Sequence, residues 1–131
     1  MRSLLPVAAA LALGAGCRPP ANGAGTPDPA RVTVADIITR ADLAGKAVEV
    51  RGMCLGYSVP TVAQGSPPVT RSDWQLEDRG QAVWVSGALP PGCTSTQPAD
   101  GPSTITALVA QDTLPGLGGQ AAIPRRYLIR K

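Results

Sequence analysis

Residues 46–52, KAVEVRG, alternate apolar and charged side chains, which is the pattern of a β-strand with one buried face. The run ends at Gly52, and a glycine inside a strand often marks a bulge or a sharp bend. Residues 53–57, MCLGY, continue the strand in a different direction after the bend. The sequence therefore predicts a long first strand that bends at Gly52.

A short helix is predicted immediately before this strand. Thr33 is followed three residues later by Asp36, and apolar residues come next at positions 37, 38, 41 and 43. This spacing is typical of a capping box, in which the Thr hydroxyl and the acidic side chain each bond to the other residue's backbone amide. We expect a helix over residues 34–41 that ends before Gly45.

A β-hairpin is predicted beyond a long loop at residues 59–69. Residues 74–77, WQLE, and 82–86, AVWVS, both alternate, and residues 78–80, DRG, form the turn between them. The alternation directs Trp74, Leu76, Val83 and Val85 into the core. A second long loop at residues 89–103 and two further strands, at 104–110 and 126–130, complete the pattern.

These elements predict an all-β fold with one short N-terminal helix, namely a small five-stranded barrel. Residues 43–52 (LAGKAVEVRG), 74–78 (WQLED), 83–85 (VWV) and 89–92 (LPPG) resemble stand-alone bacterial OB-fold domains of the tRNA-anticodon-binding-like type. The resemblance covers residues 33–85 and is weak beyond them; together with the predicted strands it implies an OB-fold-like domain over residues 32–131. Its motifs are structural glycines and apolar pairs, which indicate a fold rather than an activity.

The composition excludes several classes of active site. The 131 residues include no His, so His-dependent catalytic triads and zinc or haem sites with His ligands are excluded. We also find no nucleophile with supporting residues around it, and we expect neither an enzyme nor a cofactor or metal site. The 12 basic and 9 acidic residues give a formal charge of +3.

Four of the basic residues lie close together at the C-terminus: Arg125, Arg126, Arg130 and Lys131. Such a cluster indicates either an anion or lipid-headgroup site or a terminal strand whose charges discourage edge pairing.

Residues 1–16 have the pattern of an export signal: Arg2 is followed by an apolar run and by three small residues before Cys17. The apolar run is shorter than the roughly 20 residues that a transmembrane helix needs. The junction resembles the bacterial lipoprotein signal, although Gly14 occupies the place where that motif prefers Leu. The resemblance implies lipidation of Cys17, and the alternatives are an ordinary cleaved secretory signal and an uncleaved start.

Residues 17–31 are rich in Pro and Gly and contain almost no side chain that could build a core. This composition predicts a tether that holds the domain away from a membrane. A disordered N-terminus after signal cleavage fits the same composition.

Cys54 and Cys93 are the two cysteines that remain in the predicted domain. Because disulfides persist in exported proteins, we predict that they form one. A redox or metal pair is disfavoured, since the two residues do not form a C-x-x-C motif and no third soft ligand exists. Two free buried thiols are the other alternative.

Candidate ligand-binding residues lie on the outer face of the predicted hairpin. OB-fold relatives that bind nucleic acids stack bases on aromatic side chains of the second and third strands, and the alternation places Trp84 outward on the third strand. Trp84 could instead cover a barrel seam or pack under a loop, or serve as a platform for a peptide or small ligand. The candidates are Trp84, Gln75, Arg71 and Arg79.

Two carboxylates lie beside this face and would repel phosphates. Asp73 and Glu77 flank Gln75 on the outward side of the second strand, and we interpret them as a solvated face rather than as an acid–base pair. A nucleic-acid partner is therefore disfavoured.

We expect an exported, lipid-anchored OB-fold module of the bacterial cell envelope with a non-catalytic binding or structural role, which faces the periplasm or the cell surface. The alternative is an OB-fold nucleic-acid-binding module. The expected partners are the membrane, through the anchor, and a protein or small ligand.

Overall fold

The computed structural model of the chain describes residues 28–57 and 60–131. The predicted signal peptide at residues 1–16, Cys17 and the tether up to residue 27 lie outside the described residues. The elements in chain order are β1 (Ala30–Val32), α1 (Val34–Thr39), a 3-10 turn (Ala41–Leu43), β2 (Ala47–Gly56), β3 (Trp74–Asp78), β4 (Gln81–Ser86), β5 (Ser103–Leu114) and β6 (Ile123–Ile129).

Strands β2 to β6 close into a five-stranded barrel. The order across the sheet is β1-β2-β3-β4-β6-β5, and β5 pairs back onto β2. The contact between β4 and β6 is parallel, whereas the other contacts within the barrel are antiparallel. The prediction of a small OB-fold-like barrel with one short helix is confirmed.

The first barrel strand, β2, changes its partner at Gly52. Residues from Ala47 to Gly52 pair with β5, and Met53 is the first residue that pairs with β3. A Cβ atom at Gly52 would lie 2.7 Å from the carbonyl oxygen of Glu77, so only glycine fits where the strands cross. The register irregularity itself lies between Cys54 and Gly56.

Strand β1 was not predicted from the sequence. Its three residues pair in parallel with Val48–Val50 on the edge of β2 opposite β5, and Arg31 forms a 3.2 Å ion pair with Glu49. The strand begins at Ala30, two residues before the expected domain start at residue 32. Three residues are too few to display an alternating pattern.

Helix α1 begins with the predicted capping box. The Thr33 hydroxyl accepts the Asp36 amide at 3.0 Å, and the Asp36 carboxylate accepts the Thr33 amide at 3.0 Å. The hydrogen bond from the Thr33 backbone holds the pKa of Asp36 below its usual value. The helix ends at Thr39 rather than at residue 41, because the chain tightens into the 3-10 turn.

The core fills the barrel interior and includes the inward hairpin residues that the alternation predicted. Trp74, Leu76, Val83 and Val85 are all buried. They belong to one apolar cluster with residues from the other elements, among them Val34, Ile37, Val48, Val50, Ile105, Val109 and Leu128.

Cys54 and Cys93 form the predicted disulfide, with their Cα atoms 6.1 Å apart. The bond joins the second half of β2 to the loop between β4 and β5. It therefore fixes a long, Pro-containing loop against the barrel.

Candidate functional site

The loop between β2 and β3 lies across the outer face of the barrel, and we call its residues 60–70 the strap. The side chain of Gln75 holds the first part of the strap. Its Oε1 atom accepts the amides of Val62 at 2.7 Å and Ala63 at 2.8 Å. Gln75 is fully buried beneath these contacts.

Asp73 holds the end of the strap. Its carboxylate accepts the amide of Val69 at 2.7 Å, the amide of Thr70 at 3.0 Å and the Thr70 hydroxyl at 2.9 Å. The interpretation of Asp73 as part of a solvated face is wrong, because the loop whose backbone it binds covers its side chain. The same loop covers Gln75, the outward residue expected to contact a ligand. Glu77 is partly exposed and accepts the amide of Gly80 in the hairpin turn at 2.8 Å.

Trp84 lies on the outer face of β4, as the alternation predicted, but only 3% of its surface is exposed. Its indole Nε1 donates to the carbonyl oxygen of Gly65 in the strap at 3.3 Å. The ring belongs to a small apolar cluster with Ala63, Ala82 and Tyr127, which is separate from the barrel core. Trp84 thus packs under a loop, one of the alternatives for this residue, and the strap covers the ring that a peptide or base-stacking platform would use.

Arg125 joins the strap to the hairpin formed by β5 and β6. Its guanidinium forms a bidentate pair with Asp112 on β5, and its Nη1 donates to the carbonyl oxygens of Gln64 at 3.0 Å and Ser66 at 2.6 Å. Arg125 is only 6% exposed. Its charge is therefore balanced by Asp112, and its donors are committed to the fold.

The C-terminal basic residues do not act as one free patch. Arg126 donates from Nε to the Ile37 carbonyl at 2.7 Å and from Nη2 to the Ile38 carbonyl, so it fixes the end of α1 to β6. Arg130 donates to the Ala88 carbonyl at 2.9 Å, and Lys131 is exposed. These contacts disfavour a shared anion site.

The remaining predicted ligand-binding residues are separated. Arg71 and Arg79 are exposed at opposite ends of β3, and Arg79 lies in the hairpin turn with φ of 53°. The structure thus places Trp84 and Gln75 under the strap and leaves the two arginines outside it.

A cleft opens where β4 and β6 diverge. The two strands pair only at Val85–Leu128 and Ser86–Ile129. Beyond these pairs lies a half-open cleft of about 210 Å³. Its lining includes Ile38 of α1, Val62 and Gln64 of the strap, Trp84 of β4, and Pro124, Arg125 and Arg126 of β6. This volume lies below the roughly 300–1,000 Å³ of small-molecule sites.

Arg125 and Arg126 line the cleft, but the two chain segments that border it are uncharged. The strap, residues 60–70, and the tip of the β5–β6 hairpin, residues 113–124, contain no Asp, Glu, Lys or Arg. Val62, Val69, Leu117 and Ile123 on these segments are exposed, and Leu117 is exposed by 82%. The two segments meet where Leu114 and Arg125 lie against Gly65, and we call them together the uncharged surface.

The strap contacts and the Arg125–Asp112 pair were not predicted from the sequence. The available signal was the absence of charged side chains over residues 60–70. The pair joins residues of two different strands, and no local pattern indicates such a contact.

No family model, curated protein or solved structure matches the chain. Within residues 28–57 and 60–131, no helix is long and apolar enough to cross a membrane. The same residues contain no cluster of three His, Cys, Asp or Glu side chains that could hold a metal ion.

Proposed function

We propose that this chain is an exported, lipid-anchored OB-fold-like binding module of the bacterial cell envelope, with no catalytic chemistry of its own. The observation that carries the proposal is the Cys54–Cys93 disulfide in a chain whose residues 1–16 have the pattern of an export signal before Cys17. Disulfides form and persist in oxidising compartments such as the periplasm. The bond therefore supports the interpretation of residues 1–16 as a signal peptide.

The geometry of the carboxylates supports a non-catalytic role. Asp73 is committed to the backbone of the strap, and Asp112 is paired with Arg125. Both carboxylates are thus engaged in contacts that hold the strap and the β5–β6 hairpin. Recognition is thus the role that this domain supports best.

A nucleic-acid-binding role, the alternative, is disfavoured by the strap. Bases would have to stack on the Trp84 ring, and the strap covers this ring. Opening the strap would exchange the hydrogen bonds of Gln75, Asp73, Trp84 and Arg125 for bonds to water, and each such bond contributes about 0.5–1.5 kcal/mol net. The summed contribution of these hydrogen bonds is comparable to a large part of the free energy of unfolding of a typical domain, which is about 5–15 kcal/mol.

Replacement of the proposed lipidation site tests the anchor. In the cells that make the protein, Cys17→Ser should move it from the membrane fraction to the soluble fraction, because the acylated side chain is lost. The matched change Asn22→Ser, in the predicted tether, should leave it in the membrane fraction. Retention of the Cys17→Ser protein in membranes would contradict the lipid anchor.

Binding to single-stranded oligonucleotide separates the two candidate functions. A protein that neutralises phosphates shows log affinity falling steeply with log salt concentration. We expect no such binding from the mature chain at physiological salt. A steep negative slope would favour the nucleic-acid-binding alternative.

A further inference from the structure

We propose that the face of the barrel on which the predicted tether enters the domain lies against the surface of the anionic membrane that holds the anchor. This face comprises β1, the first half of β2, the first half of β5 and the end of β6, and we call it the entry face. The inference rests on the lipid anchor of the proposed function, and it specifies which side of the domain contacts the lipid.

Three apolar residues form one row across the entry face. Ala47 of β2 is the register partner of Leu108 of β5, and Leu108 is the partner of Ile129 of β6. Partners on neighbouring antiparallel strands lie roughly 4.5–5.5 Å apart, so these side chains adjoin one another. Leu108 is 39% exposed, and the three residues line one open depression of about 410 Å³, which no acidic side chain of the described residues lines. The register therefore shows a continuous apolar patch.

Basic side chains lie next to this row. Lys131 is exposed and lines the same depression, and the exposed Arg51 lines a second depression with Arg31 and Glu49. Arg31 and Glu49 form an ion pair with each other. In the described part of the chain, neither Arg51 nor Lys131 forms an ion pair. Two free cations thus accompany the apolar row, and free Lys and Arg side chains near a membrane attract anionic lipids.

The point at which the chain enters the domain selects the membrane as the partner. Strand β1 begins at Ala30, whose register partner is Val48, the residue next to Ala47 of the apolar row. Because β1 runs parallel to β2, the chain enters at the end of the sheet where β2 begins, and Ala47 is the first residue of β2. Residues 17–27 would span at most roughly 40 Å if fully extended. A lipid on Cys17 therefore keeps the entry face within reach of the bilayer.

The anchor removes the need for a strong contact. Once the lipid is in the bilayer, contact between the entry face and the membrane is intramolecular, and the tether sets its effective concentration. A row of apolar side chains with Lys and Arg beside it fits the boundary between acyl chains and anionic headgroups. A small apolar patch with two free cations is therefore sufficient to orient the domain.

Site-specific photo-crosslinking in the cells that make the protein tests this orientation. A photoreactive amino acid would replace Leu108, and Leu117 would serve as the control position because it is 82% exposed and lies beyond the far end of β5. We expect phospholipid adducts from position 108, read as an added lipid mass, with a yield at least fivefold above that from position 117. Protein adducts instead of lipid adducts, equal lipid yields at both positions, or no adduct at position 108 would overturn the proposal.

A pair of charge reversals tests the role of the free cations. Arg51→Glu reverses a charge on the entry face, and Arg71→Glu makes the same change in net charge at an exposed residue outside it. Arg51→Glu should lower the yield of the lipid adduct from position 108 at least fivefold, because each basic side chain near an anionic surface strengthens binding by about this factor. Arg71→Glu should leave the yield unchanged, and equal effects of the two reversals would contradict the proposal.

Thermal melts verify that both variants fold. If Arg51→Glu melts at a lower temperature than the unchanged protein, Lys131→Glu provides the second reversal on the same face, with the same expected loss of adduct. No loss of lipid adduct in a folded variant of either residue would contradict the role of these cations.

Fractionation of the same cells separates failure of this inference from failure of the proposed function. A protein that is found in the membrane fraction but gives no lipid adduct at position 108 contradicts the orientation and leaves the anchor intact. A protein that is found in the soluble fraction contradicts the anchor itself, and the inference with it.

Discussion

Trp74 and Trp84 lie on opposite faces of the β3–β4 hairpin, and both are buried. Trp74 is 0% exposed in the barrel core, and its indole donates to the Gly87 carbonyl at 3.1 Å. Trp84 is 3% exposed beneath the strap. The hairpin therefore packs apolar rings on both of its faces, one against the core and one against the strap.

Alanine substitutions of the two tryptophans test whether the strap is part of the stable fold. Trp74→Ala should lower the free energy of unfolding by roughly 3–5 kcal/mol, the usual cost of removing a large buried aromatic ring. Trp84→Ala should cost about 3 kcal/mol, because its ring packs on Ala63, Ala82 and Tyr127. Denaturant melts measure both values.

A loss below about 1 kcal/mol for Trp84→Ala would contradict the account, since surface substitutions typically fall within about 0.5 kcal/mol. In that case the strap would not be packed on the ring in solution.

The alternation of the hairpin allowed the orientation of these residues to be predicted but not their burial. Trp84 points outward and Trp74 inward, as the pattern predicts. The cover over Trp84, Gln75 and Asp73 comes from a loop whose amides and carbonyls bind side chains of the sheet. Such contacts depend on where the loop lies in three dimensions, which no periodicity in the sequence encodes.

At the scale of elements, Gly52 allows strand β2 to pair with β5 along its first part and with β3 along its second part. At this residue β2 leaves β5 and begins to pair with β3. A Cβ at Gly52 would lie 2.7 Å from the Glu77 carbonyl oxygen and 2.9 Å from Cγ of Leu76. The close approach of the two backbones therefore requires glycine.

Alanine at Gly52 tests this crossing. Gly52→Ala should lower the free energy of unfolding by about 1–3 kcal/mol, the cost of overpacking a well-packed site. The matched variant Gly101→Ala should be nearly neutral, because a Cβ there would meet no atom within 4 Å. Equal melting behaviour of the two variants would show that the crossing tolerates a side chain.

The elements with long, regular patterns could be predicted from the sequence, and the short ones could not. The capping box located the start of α1, and the two-residue alternation located β2, β3 and β4. Strand β1 was missed because its three residues show no period and its pairing with β2 is non-local. The helix was predicted two residues too long because the 3-10 turn preserves its apolar spacing.

At the scale of the whole molecule, the barrel closes through contacts between residues far apart in sequence. The parallel pairing of β4 with β6 and the return of β5 to β2 produce the closed sheet. The number of strands and the tight hairpin predicted a barrel. The contacts of the strap and the cleft between β4 and β6 form only when the barrel closes. The Cys54–Cys93 bond spans 39 residues, and the chain-entropy model assigns such a loop about 4 kcal/mol of stabilisation.

The intact mass of the protein, purified from whole cells in detergent and alkylated under denaturing conditions without reduction, tests the central claim most directly. The account predicts a chain that begins at Cys17, carries acyl groups and has no alkyl adduct on Cys54 or Cys93. A chain without acyl groups that still begins at Met1 and carries alkylated Cys54 and Cys93 would contradict both export and anchoring.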